Sequence, residues 1–141
     1  MWTLDRSLGF HVNRLAGAMR TAMEARLAAH DLTAPQWGTL MRLSEHDGWP
    51  QRELGQSLGM DKATIGGVIA RLEAKRLIMR QVDPDDARIN RVTLTAVGRK
   101  LSRALQPLAT EVNDRATATL SPREVAQLVS LLTRARSALG A

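Results

Sequence analysis

Apolar residues recur at helical spacing from Leu4 to about His30 (Leu4, Leu8, Val12, Leu15, Met19, Met23, Leu27), which predicts one long amphipathic helix. A helix of that length outruns the core available in a chain this size. Packing along a partner is one reading, and a plain long core helix is the other. Thr33-Ala34-Pro35-Gln36 supplies an N-cap with proline in the first turn and opens a second helix through Trp37, Leu40 and Leu43, which Asp47-Gly48 stops. Pro50-Gln51-Arg52-Glu53 starts a short third helix carrying Leu54 and Leu58, and Gly59 is placed to end it.

Asp61 caps a fourth helix whose buried stripe is Ile65, Val68, Ile69 and Leu72, leaving Lys62, Thr64, Gly66, Arg71 and Lys75 on a basic polar face. Leu77 to Val82 and Arg91 to Leu94 have strand character, and the polar run from Asp83 to Asn90 between them predicts a β-hairpin. Thr95 caps a long helix through Leu101, Leu105 and Leu108 towards Val112, with Pro107 inside it. Ser121-Pro122-Arg123-Glu124 is a capping box opening a last amphipathic helix. The fold class expected is mainly α with a small β-hairpin wing, about six helices in one domain over 1–141.

Lysine and arginine total 20 against 14 acidic residues, a formal net charge of +6 that favours polyanions, nucleic acid first and anionic membrane second. No cysteine is present, which excludes disulfides, thiolate zinc sites and cysteine nucleophiles. Charges interrupt every window that could span a membrane, and Met1 to Arg6 lacks the order of a signal peptide, so a soluble cytoplasmic protein is expected. His11, His30 and His46 form no metal-ligand spacing, and neither a phosphate-binding Gly-rich loop nor a Gly-x-Ser-x-Gly elbow occurs. No cofactor, metal or catalytic residue is therefore expected, and the chain reads as a binding protein, not an enzyme.

Two short helices joined at Gly59-Met60, the second with a basic face and followed by a charged hairpin, make a winged helix-turn-helix over 33–94. The major groove of B-DNA admits one α-helix, and the Asp61 to Lys75 helix fits that role, its N-terminus favouring phosphate. Helical segments 4–30 and 95–139 flank it.

Gln51-Arg52-Glu53-Leu54-Gly55, Leu58 to Ile65, Arg71 to Lys75, Asp83-Pro84-Asp85-Asp86-Ala87-Arg88 and Leu94 to Gly98 together resemble the MarR family of bacterial regulators, a likeness that covers nearly the whole chain. The resemblance implies an intertwined homodimer, with 4–30 and 95–139 as its helical dimerisation region, that binds a pseudo-palindromic double-stranded DNA operator, by default as a repressor, through Gln51, Lys62, Thr64, Gly66, Gly67, Arg71, Asp86 and Arg88. Arg88 matches the wing arginine that enters the minor groove, and Asp86 matches the acid that positions it.

The chain departs from the family pattern at Gly66 and Gly67, where longer side chains are common. Close approach to DNA or plain tolerance of glycine would each explain them. Arg76 stands where glycine is usual, so the turn there is expected to differ, and Pro50 is read as a first-turn residue. The family also implies a small aromatic carboxylate or phenolic effector. His11 and Arg14 on the first helix, with Trp37 and Met41 on the second, are its candidate site. An ordinary core tryptophan and a surface ion pair are the plainer readings of those residues. The rival to an inducible regulator is an architectural or protein-docking winged helix without an effector.

Overall fold

In the computed structural model, which describes residues 1–141, five of the six α-helices begin on a side-chain cap. Ser7 opens α1 (Leu8–Leu27) and Thr33 opens α2 (Ala34–Glu45). Helix α3 (Gln51–Ser57) alone starts without one, behind Pro50. Asp61, Thr95 and Ser121 open α4 (Lys62–Ala74), α5 (Ala96–Ala116) and α6 (Pro122–Ala138). Each cap satisfies a backbone N–H that the first turn leaves over, worth about 1 kcal/mol. Strands β1 (Trp49–Pro50), β2 (Ile78–Val82) and β3 (Asn90–Leu94) form one antiparallel sheet in the order β1-β3-β2.

Local structure departs from the sequence reading in four places. The first helix is shorter than the Leu4 to His30 pattern, with single 3-10 turns at Leu4–Arg6 and Ala28–His30 flanking α1. Ser7 makes the break, because its hydroxyl accepts from the Phe10 N–H and holds Ser7 in an extended conformation. The wing is a three-stranded sheet: Trp49 and Pro50 pair with Val92 and Arg91 along the free edge of β3. Pro50 consequently sits one residue ahead of α3, in β1.

Arg76 keeps the left-handed conformation usually given to glycine, with φ at 58°. Its N–H reaches the Glu73 carbonyl at 2.9 Å and the Leu77 N–H reaches Leu72 at 3.0 Å, the bond pair of a Schellman turn. Those bonds and the burial of Leu77 outweigh the cost of about 1 kcal/mol that arginine meets there.

The core lies beneath α4. Leu40 and Leu43 of α2, Leu54 of α3, Ile65, Ile69 and Leu72 of α4, and Ile78 and Val92 of the sheet are almost fully buried together. Fixed from below, α4 cannot roll. The terminal helices are different: α1 buries only Met23 and Leu27, α6 buries nothing, and Leu8, Leu15, Val129 and Leu131 are exposed. The chain exposes 9896 Å², whereas a folded monomer of its mass exposes roughly 7,200 Å². No helix is long and apolar enough to cross a membrane.

Candidate nucleic-acid interface

The turn between α3 and α4 closes on Gly59, at φ 68°, with Met60 N–H bonded to the Gly55 carbonyl at 2.8 Å and Gly59 N–H to Gln56 at 3.1 Å. A second Schellman turn therefore precedes the Asp61 cap, and the two helices meet at a fixed angle. They also meet closely, since a Cβ on Gly55 would lie 2.9 Å from Ile65 Cγ2. Asp61 accepts from the Thr64 N–H at 2.7 Å. Bonds from Thr64 hold its carboxyl below the usual aspartate range.

With Ile65, Val68, Ile69 and Leu72 facing the core, α4 turns Lys62, Thr64, Gly67 and Arg71 to solvent, and Gly66 is half-buried at the edge. A Cβ at either Gly66 or Gly67 would meet nothing within 4 Å. The outer face of α4 is thus basic at both ends and low in relief between them.

The wing carries Arg88 at its tip, with a side chain 90% exposed. Its Nε and Nη2 each donate to Asp86 at 3.0 Å, and its backbone N–H donates to Asp86 Oδ1 at 3.0 Å. That pairing holds the Asp86 carboxyl low and raises the Arg88 guanidinium. Behind the tip, buried Asp83 accepts from the N–H groups of Asp85 and Asp86 at 2.8 and 3.1 Å and from Arg91. The loop before β1 is tied in as well: Asp47 accepts from Leu94 N–H at 3.0 Å and from Arg99 at 2.7 Å.

Between α3, the start of α4 and the wing runs a cleft of about 770 Å³. It gathers Gln51, Lys62 and Arg88 from the residues expected of a DNA site, while Thr64, Gly67 and Arg71 lie outside it on α4. Six further polar side chains line it: Arg52, Gln56, Arg80 and Asn90, together with the carboxylates Glu53 and Asp61, the latter engaged in capping α4. Sequence spacing does not reveal Arg80, because only the chain reversal at Arg76 brings it back to α4, where it bonds Glu73 at 3.0 and 3.2 Å. The other end of α4 is anchored through Lys75, which donates to the Asp31 carbonyl and to Gln36.

A second cavity, of about 270 Å³, lies among α1, α2 and α5 and is lined by Met19, Arg20, Met23, Trp37 and Asn113 among others. The Nε1 of Trp37 is buried with no acceptor. Of the four residues expected for an effector, Trp37 alone lines this cavity. Met41 packs against the core, His11 Nε2 bonds the Asp5 carbonyl at 2.7 Å, and Arg14 lies 5.7 Å above the Phe10 ring. No group of three potential metal-ligating side chains comes together.

Residues 32–90 match the sequence model of the MarR family. The HTH-type transcriptional repressor NicR of Pseudomonas putida is 33% identical over 123 residues, covering 86% of this chain and 78% of NicR. The HTH-type transcriptional regulator TtmR of Methylorubrum extorquens is 35% identical over 121 residues, and the chain spans only 62% of its length.

Among solved structures, a probable transcriptional regulator from Pseudomonas aeruginosa superposes with a TM-score of 0.84 at 39% identity, covering 94% of this chain and 98% of that one. The MepR–DNA complex of S. aureus gives 0.86 at 28% identity, covering 94% and 98%. Bordetella bronchiseptica BpsR, whose DNA binding is regulated by 6-hydroxynicotinic acid, gives 0.88 at 27% identity, covering 96% and 97%. With the winged helix-turn-helix complete and these relatives spanning most of its length, the chain belongs to the MarR family of DNA-binding transcriptional regulators.

Proposed function

We propose that this chain is an operator-binding repressor that acts as a homodimer and is released from DNA by a small aromatic or phenolic acid. The observation that carries the DNA reading is the outward basic face of α4 beside an arginine-tipped wing. Lys62, Thr64, Gly66, Gly67 and Arg71 meet the major groove, Gln51 meets backbone at its edge, and Arg88, steadied by Asp86, enters the adjacent minor groove. The uncovered apolar faces of α1 and α6 support a second copy as partner. The excess of about 2,700 Å² over a typical monomer is of the order an obligate dimer covers. Two lobes then address half-sites one helical turn apart.

The effector reading rests on the cavity beside Trp37. The Trp37 ring in its wall gives an aromatic ligand a ring to pack against. Arg20 at the cavity supplies a partner for a carboxylate, and Arg14 and His11 stand further towards the start of α1. Selection of duplexes from a random pool, followed by footprinting, tests the reading. A two-fold symmetric site with protection on two successive turns is expected, and recovery of unrelated sequences marks an architectural or protein-docking module instead.

A further inference from the structure

Resting on the DNA reading above, we infer that Arg80 is a clamp for the DNA backbone, held in reserve by Glu73 in the free protein. The two grooves of B-DNA are separated by a single sugar–phosphate strand. If α4 occupies the major groove and Arg88 the neighbouring minor groove, that strand must cross the cleft between them. Arg80 lies on this path. It stands opposite Val92 and two residues beyond buried Ile78, so strand alternation aims it at the α4 side of the sheet.

There it makes its two bonds to Glu73 on the wing flank of α4, and both side chains are about 40% exposed. An ion pair so open to water is weak, and a phosphate offers the same guanidinium an equivalent bidentate partner. The depressed Glu73 carboxyl and raised Arg80 agree with a pair charged at neutral pH. On binding, Arg80 exchanges carboxylate for phosphate, and Glu73 thereby lowers affinity by competing for it.

The test is fluorescence anisotropy on a 30-base-pair duplex selected by the parent chain and on a random duplex, across a series of KCl concentrations. Arg80→Gln should weaken both complexes roughly five- to tenfold and flatten the slope of log affinity against log salt by about 0.9, one phosphate's worth. Glu73→Gln should tighten binding roughly two- to fivefold in the parent and give no gain when Arg80→Gln is already present. An unchanged salt slope in Arg80→Gln overturns the inference, as does a Glu73→Gln gain of equal size with and without Arg80. Equal losses of melting temperature and affinity in both variants also overturn it, leaving a structural brace. A parent chain that binds no duplex overturns the DNA reading itself and this inference with it.

Discussion

Arg91 and Asp83 form the joint on which the wing is hinged: Arg91 Nε donates to the buried Asp83 carboxylate, while Arg91 Nη1 donates to the Gly48 carbonyl at 2.8 Å. One guanidinium therefore links the wing turn to the loop between α2 and β1. Asp83 passes that constraint outward through the backbone N–H groups of Asp85 and Asp86. Arg88 is presented by a turn held from below.

The bond from Arg91, followed by that from the Asp85 N–H, holds the Asp83 carboxyl below its ordinary value. Because the folded value is the lower one, the joint stabilises the fold fully above the unfolded aspartate range of about 3.9 and is lost as pH falls through the folded value. Asp83→Asn should melt below the parent at pH 7, with the gap closing below about pH 4. Melting curves from pH 7 to pH 2 check this, and a gap constant across that range would contradict the joint.

Two glycines should respond oppositely to alanine. A Cβ on Gly98 would lie 1.9 Å from the Leu77 carbonyl oxygen, which also accepts the Thr95 N–H at 3.0 Å, so neither side can yield cheaply. Gly98→Ala should lose at least about 1–3 kcal/mol in urea denaturation. At Gly67 nothing lies within 4 Å, and Gly67→Ala should gain about 1 kcal/mol from helix propensity alone. Loss of stability at Gly67 would place an unseen neighbour on the outer face of α4.

For the effector cavity, a thermal-shift screen of aromatic carboxylates separates the two arginines. The parent should be stabilised, Arg20→Ala should lose the response, and Arg14→Ala should retain it. Loss confined to Arg14→Ala would move the carboxylate towards the start of α1, and an unchanged response in both would remove the arginine pairing. Trp37→Ala, which removes the aromatic ring from the cavity wall, should weaken the response.

The parts of this fold legible in the sequence are those set by neighbours in the chain. The caps at Thr33, Asp61, Thr95 and Ser121 and the buried stripe of α4 follow from local hydrogen bonding and from a 3.6-residue period, and each stands where the spacing put it. Strand β1 was illegible because two residues carry no period and Trp49-Pro50 is held by β3, more than 40 residues away. Helix α1 hid its uneven burial for a related reason. Its pattern is continuous, but only Met23 and Leu27 are buried in their own chain, with Met19 and Ala22 packed beside them. The Arg91 joint and the Glu73–Arg80 pair likewise arise from chain reversals, which no spacing of charges announces.

The measurement that bears most directly on α4 and the wing as a DNA reader is a titration of a selected duplex with the parent chain and with Arg88→Ala at two salt concentrations. The parent should bind in the nanomolar range at low salt, with log affinity falling linearly against log salt, and Arg88→Ala should bind at least about tenfold more weakly. A variant that matches the parent on the selected duplex would contradict the wing's role, and a parent with no preference for that duplex over random DNA would contradict the operator-binding function as a whole.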